Sequence, residues 1–326
     1  MSERRGGRTG ERVGVRAGVR YEVEVPAGLV EPQLRWNGEA GRAWVTGLPG
    51  QVRECLAQWG LRPDGRSMHG AAALVLPVVR EADGRPAVLK LQLRDEENAG
   101  EAAALRAWAG LGAVEVLAAD EVRGALLLER LDEGRSLGGV PDAVDGVRVI
   151  AESLARLNAV AAPAGMRRLA DVAAALLADV PKLLPELADA GERRLLERCA
   201  GAVREVAGEA GDRLLHWDLH GGNVLAPRAD SRRAARGETW VVIDPKPLAG
   251  DPGFELFPAI RNRFEAAEVV RRFDLMVEVM GLDRERAAAW TLGRVLQDCL
   301  WELADGEVRI PDIHVAVART LLRVRS

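Results

Sequence analysis

Leu214-Leu-His-Trp-Asp-Leu-His-Gly-Gly-Asn-Val-Leu225 and Trp240-Val-Val-Ile-Asp-Pro-Lys-Pro-Leu-Ala-Gly-Asp-Pro252 are two apolar, β-type runs that each carry a carboxylate into a turn. Leu214 and Leu215 lead to Asp218, Val224 and Leu225 follow Asn223, and Val241, Val242 and Ile243 lead to Asp244. The order is Asp, then Asn five positions on, then a second Asp after an intervening loop. Transfer of a phosphoryl group to an alcohol needs such a set: one carboxylate to orient the hydroxyl, then an amide and a second carboxylate to hold Mg²⁺ on the phosphates. Magnesium keeps several of its waters, so few protein oxygens suffice. Taken singly, Asp218 and Asn223 read as turn or capping residues. Their coincidence with Asp244 is what points to chemistry. Around them His220 reads as a loop-orienting histidine, His216, Trp217 and Leu219 as packing residues, and Lys246 as surface charge. Asp251 reads as a carboxylate that bonds loop backbone.

Upstream, Leu74–Val79 and Ala87–Leu91 read as a hairpin turned by Glu81-Ala-Asp-Gly84. Lys90 interrupts the second strand between Val88, Leu89 and Leu91. An ammonium there is costly unless it meets a partner; the alternative is an edge-strand lysine facing water. The helix expected over 94–110 sets Glu101 on the face of Leu105 and Trp108, with Glu97 one turn earlier as the second candidate. Val114–Leu117 and Gly124–Leu131 read as two more strands, the latter ending in a turn at Asp132-Glu-Gly134. Ala43, Leu48, Val52, Leu56 and Trp59 recur at helical spacing and predict a helix over 43–60. Beyond Asp132 the spacing is helical, through Val147–Leu157, Leu176–Leu184, Leu195–Val206, Val269–Met280 and Leu292–Leu303. Pro227–Glu238, with Arg228, Arg232, Arg233 and Arg236, reads as a solvated hairpin tip. Strands first and helices later give an α+β fold of two lobes with a cleft between.

At these residues the chain resembles the aminoglycoside phosphotransferases. Their pattern is His-x-Asp-x-x-x-x-Asn, an Ile-Asp metal motif and Gly-Asp-Pro, here His216 to Asn223, Ile243-Asp244 and Gly250-Asp-Pro252. Asp-Pro-Gly-Phe-Glu-Leu256, Glu-Ala-Ala-x-Leu-Arg-x-Trp108, Arg271-Arg-Phe-Asp-Leu and Arg286–Arg294 extend the likeness to the branch of streptomycin 6-phosphotransferases, which also holds hydroxyurea phosphotransferases. It runs from about Val25 to near the C-terminus. The resemblance implies a two-lobed, protein-kinase-like fold that uses ATP and Mg²⁺. It implies that Asp218 orients the acceptor, Asn223 and Asp244 hold the metal, and Lys90 with Glu101 fixes the phosphates. Leu128 becomes a gatekeeper, and backbone groups of Glu129 and Leu131 meet the adenine edge. Ser67 and Gly70, in Ser67-Met-His-Gly-Ala71, fall where a kinase covers the phosphates, on position alone, since G-x-G-x-x-G is missing; His69 there reads as a solvent-facing loop residue. Trp217 stands where the wider family often has glycine. The catalytic arginine, Asp-Phe-Gly and Ala-Pro-Glu of protein kinases are missing, which argues against that class.

The implied organisation is an Arg/Gly-rich, disordered extension at 1–24, a nucleotide-binding lobe at 25–132 and a catalytic, substrate-binding lobe at 133–326. The implied reaction is phosphorylation of a cationic aminoglycoside, streptomycin at the 6-hydroxyl of streptidine, with hydroxyurea or another small molecule as alternative acceptor. An inactive nucleotide-binding module is the reading outside the enzyme class. A guanidinium-bearing acceptor calls for carboxylates and rings. Glu255 is one candidate; Asp298, Trp301, Glu302 and Asp305 share one helical face, which reads equally well as solvated. A net charge of −4 gives no pull toward nucleic acid, and the absence of a long apolar run gives none toward membrane. The three cysteines are far apart in apolar settings and read as buried thiols of a cytoplasmic protein, with a monomer as the working expectation.

Overall fold

The computed structural model describes residues 23–70 and 72–325. Residues 1–22 of the extension expected at 1–24 lie outside the described residues, as do Ala71 and Ser326. Helix α1 (Ala27–Trp59) buries Leu29, Gln33, Gly41, Trp44, Leu48, Val52 and Cys55 along one stripe. It starts sixteen residues before the helix expected over 43–60 and bends at Gly38, whose φ of 51° and ψ of −124° are not helical. Pro32, Gly38 and the polar residues between them hide its first half from a periodicity argument.

The first lobe's sheet runs in the order β1-β3-β4-β6-β5, with β2 also paired to β3. Its strands are β1 (Leu61–Pro63), β2 (Met68–His69), β3 (Ala73–Arg80), β4 (Pro86–Gln92), β5 (Val116–Asp120) and β6 (Ala125–Glu129), with α2 (Glu101–Ala107) between β4 and β5. The β3–β4 hairpin forms as expected, with Lys90 opposite Val75 on one side and Leu126 on the other. Strand β5 begins at Val116 rather than Val114. Residues 112–114 pair with the other lobe instead: Val114 N–H donates to Val242 at 2.9 Å, and Val242 N–H donates to Gly112 at 2.8 Å.

Asp132-Glu-Gly134, expected as a turn, is part of a strand, β7 (Asp132–Ser136). It pairs with a strand from 224–226, which supplies the partner that a turn reading lacks. The second lobe continues with α3 (Ala143–Leu157), α4 (Leu169–Leu183), α5 (Ala190–Val206), β8 (Arg213–Leu215), β9 (Val224–Ala226) and α6 (Arg232–Ala235). It ends with β10 (Val241–Val242), β11 (Leu248–Gly250), α7 (Leu256–Arg261), α8 (Val269–Met280), α9 (Arg284–Ala304) and α10 (Asp312–Val324). Two short sheets, β10-β9-β7 and β11-β8, hold the loops that matter. Helix α9 is buried from Ala287 to Leu300, against α5, α4 and α10, and organises the larger of two apolar cores. The smaller core lies between α1 and the first sheet. Among the described residues no helix is long and apolar enough to cross a membrane.

Candidate active site

Strand β8 ends at Leu215, and the chain turns through 216–223 before β9. Trp217 takes φ of 66°, in the left-handed region that large side chains avoid. That is the backbone a glycine would adopt without strain. Here the strain is offset by packing. The indole is 1% exposed, stacks on Phe254 at 6.5 Å and meets Trp301 edge-on at 6.1 Å. Its backbone N–H donates to Glu255 at 3.0 Å. Gly221 is required by space: a Cβ there would come within 2.9 Å of Gly138 backbone. His220 accepts from Gly222 N–H at 3.0 Å, the loop-orienting contact expected of it.

Four bonds fix the carboxylates relative to one another. Asn223 Nδ2 donates to the Asp218 carbonyl at 2.9 Å, which leaves Oδ1 as the amide's acceptor. The N–H of Ile243 donates to the Asn223 carbonyl at 2.9 Å. His216 accepts from Asp218 N–H on Nδ1 at 3.3 Å, so Nε2 carries the proton and donates to the Ile243 carbonyl at 2.9 Å. Burial lowers the His216 pKa to about 4, keeping that tautomer neutral. Asp244, at φ of 58°, is a second non-glycine residue held in the left-handed region.

The first lobe answers this loop with one ammonium. Lys90 is 6% exposed and donates to both oxygens of Glu101, at 2.7 and 2.9 Å, and to Asp244. Burial alone would disfavour the ammonium, but Asp244 and Glu101 outweigh it and raise the lysine's pKa. Desolvation in the cleft acts to raise Asp244; Lys90 reverses this and holds the carboxyl below its usual range. Gln92, two residues along the same strand face as Lys90, donates to Glu101 at 2.6 Å. The alternation of a strand could have found it. Glu97 lies elsewhere, paired with Lys246 at 3.1 Å on the surface. Asp251 accepts from Gly253 N–H at 2.8 Å and from Arg286 at 2.6 Å, a structural carboxylate.

Other expected residues scatter. Ser67 donates to the Glu24 carbonyl, and Gly70 N–H donates to Ala73 at 3.0 Å across the β2–β3 turn. His69 is exposed, on β2 rather than in a loop. Leu128 and Leu131 are buried at the end of the first sheet, and Glu129 N–H donates to the Glu115 carbonyl at 3.0 Å. Glu255, expected on a pocket wall, is 1% exposed behind the loop, with Asn158 at 3.4 Å and the Trp217 N–H as donors. Asp298 is buried too, paired with Arg294 and, at 3.5 Å, with Arg261. Glu302 and Asp305 are exposed.

A recess of about 670 Å³ opens beside Trp217, and of that expected face only Trp301 lines it. The wall of α9 is Gln297, Leu300, Trp301 and Ala304, one residue out of step with the stripe read from the sequence. Its carboxylates come from elsewhere: Asp95, Glu96 and Glu97 before α2, and Asp171 and Asp179 on α4. Arg167 also lines it, with its guanidinium 4.2 Å above the Trp217 ring. Arg294 lies within electrostatic reach of Asp218. Apart from Trp301 and Glu97, no spacing rule singled these residues out, because they meet only through the packing of three separate segments.

Two lobes joined across a cleft by Lys90, which is steadied by Glu101 on its own lobe and paired with Asp244 on the other, with Asp, Asn and Asp on the facing loops, define a kinase-like phosphotransferase. The family described as aminoglycoside/hydroxyurea antibiotic resistance kinase matches residues 58–306, and the chain belongs to it. A hydroxyurea phosphotransferase of Kitasatospora aureofaciens is 62% identical over 92% of this chain and 86% of its own. A streptomycin 6-kinase of Streptomyces glaucescens is 48% identical over 92% of this chain and 97% of its own. Among solved structures, a thermostable mutant of aminoglycoside phosphotransferase APH(4)-Ia, a ternary complex with ADP and hygromycin B, shares the fold. Its TM-score is 0.55 at 15% identity, covering 83% of this chain and 97% of that one.

Proposed function

We propose that this chain moves the γ-phosphoryl group of ATP to a hydroxyl of a cationic small molecule, with streptomycin, at the 6-hydroxyl of streptidine, as the leading acceptor. The observation that carries the phosphoryl-transfer reading is the convergence of Lys90, Glu101 and Asp244 from two lobes beside Asp218 and Asn223. Asp218 orients the acceptor hydroxyl and takes its proton. Lys90, steadied by Glu101, meets the α/β-phosphates. Leu128 gates the adenine pocket, and backbone groups of Glu129 and Leu131 meet the adenine edge. Ser67 and Gly70, on either side of β2, belong to the segment that covers the phosphates. Asn223 Oδ1 and Asp244 would hold Mg²⁺, which when bound neutralises charge on the phosphates. The donor set, one amide oxygen and one carboxylate, suits a hard ion that keeps several of its waters. The transition state is loose, so positioning and charge carry the catalysis more than base strength.

The acidic recess favours a cationic acceptor. Of its five carboxylates Glu97 pairs with Lys246 and Asp179 with Lys182, and the one arginine in its lining, Arg167, stacks on Trp217 near Asp95, Glu96 and Glu97. A guanidinium of the acceptor would find the exposed Trp301 ring and the same acids. Hydroxyurea, a few uncharged heavy atoms, has no use for such a recess; the identity to a hydroxyurea phosphotransferase keeps it as the second reading.

The test is Mg²⁺-dependent ADP release from ATP with streptomycin, hydroxyurea or a deoxystreptamine aminoglycoside, in wild type and Asp218→Asn. Turnover with streptomycin, lost in the variant while ATP still binds, is the expected result. Turnover with hydroxyurea alone keeps the kinase and replaces the acceptor. ATP binding without stimulated release by any acceptor leaves a nucleotide-binding module.

A further inference from the structure

The segment 227–238 is not the solvated hairpin tip its composition suggests. Ser231 caps α6 by accepting from Ala234 N–H at 3.2 Å, and the short helix folds back onto the first lobe. There Arg233 Nε donates to both oxygens of Glu129, at 2.8 and 2.9 Å. Its Nη2 donates to the Ala113 carbonyl at 2.7 Å, and Nη1 donates to Glu238 at 2.5 Å. The arginine side chain is 14% exposed, against neighbours Arg232 and Arg236 that are open to solvent. A largely covered guanidinium with every nitrogen engaged is a fixed joint, unlike a surface ion pair.

The joint sits between two places that matter. Glu129 ends β6, and its carboxylate also accepts from Glu115 N–H at 2.8 Å. At its other end the segment springs from β9 and β10, which pair with each other directly after Asn223 and directly before Ile243 and Asp244. We propose that 227–238 is a strap that fixes the hairpin bearing Asn223 and Asp244 against the back of β6, and that Arg233 is a positioning residue for nucleotide binding. The inference rests on the reading above that adenine lies against the end of β6. The strap sets the distance between the adenine end and the metal end of the cleft; without it, β6 and the hairpin are joined by fewer bonds and the two ends of ATP are no longer held in one register.

The experiment measures ATP affinity by titration calorimetry, together with KM and kcat, for Arg233→Ala, Glu129→Gln, Arg232→Ala, Arg236→Ala and Leu128→Trp. Losing these charge-assisted bonds should weaken ATP binding roughly 10-fold in Arg233→Ala. KM for the acceptor should stay near wild type, and kcat should fall less than ATP affinity. Arg232→Ala and Arg236→Ala should match wild type. Glu129→Gln, which keeps the side chain's shape, carries the test if Arg233→Ala does not fold. Leu128→Trp checks the underlying reading: if it leaves ATP affinity intact, adenine lies elsewhere and that reading fails. If Leu128→Trp blocks ATP while Arg233→Ala and Glu129→Gln bind it as wild type does, the strap is overturned and the reading stands.

Discussion

His216 donates from Nε2 to the carbonyl oxygen of Ile243 at 2.9 Å, so one imidazole joins the loop bearing Asp218 to the turn bearing Asp244. The ring is fully buried and stacks near Trp108, with centroids 6.3 Å apart. It is a spacer between two carboxylates, not a base.

His216→Ala should therefore lower kcat by about 10–100-fold, the equivalent of ~1–3 kcal/mol for a buried bond left unmade. Nucleotide affinity should change less, since Lys90 and Glu101 do not depend on it. With its pKa lowered to about 4 by burial, the wild-type ring contributes no inflection to a pH–rate profile in the neutral range. An inflection there that vanishes in the variant would show that the ring titrates during turnover.

Trp217→Gly tests whether strain or packing dominates at that position. Glycine relieves the cost of a positive φ, about 1–3 kcal/mol. It also empties a site filled by a fully buried indole, at a cost of about 3–5 kcal/mol. The variant should be less stable by roughly 0–4 kcal/mol, about 2 at the middle of both ranges, in denaturant unfolding. A variant at least as stable as wild type would mean that the backbone strain outweighs the aromatic cluster.

What the sequence made legible was local. Asp218, Asn223, Asp244 and Lys90 each lie within a few residues of a strand end, and the structure brings them to one cleft. Glu101 followed because a helical face can be counted from Leu105 and Trp108. The acidic recess was not legible, since Glu96, Asp171 and Trp301 come from three segments whose approach depends on how α4 and α9 pack. The stripe Asp298, Trp301, Glu302 and Asp305 had helical spacing but not the right phase. Helix α9 is buried on most of its circumference, so hydrophobic periodicity could not orient it. Arg233 was lost among the arginines of a polar loop because composition cannot distinguish a solvated guanidinium from one with buried partners.

The thiols give an independent check on the cores. Burial pushes Cys55 up to about 11 and Cys199 up to about 12, and raises Cys299 as well. All three are buried, and the thiolate is the reactive form. A chromogenic disulfide reagent should find no rapidly reacting thiol in the native protein and three after denaturation. A fast-reacting thiol in the native state would place one of these helices at the surface.

Glu255 makes a prediction with a definite sign. Burial raises its pKa from 4.5 to about 7, against the bonds from Trp217 N–H and Asn158 that favour the carboxylate. Between those two values the folded protein keeps a proton that the unfolded chain has lost, so stability falls as pH rises through the window. Above about 7 both states are ionised and the penalty stays constant. Glu255→Gln cannot titrate, yet its amide oxygen still accepts from Trp217 N–H. The unfolding free energy of the variant, minus that of wild type, should therefore climb across the window and then level off. Paired denaturant titrations at intervals across and beyond the window measure it. A difference that is flat with pH would mean the carboxyl ionises in the folded protein as it does in water. The buried seat behind Trp217 would then not be the cause assigned to it.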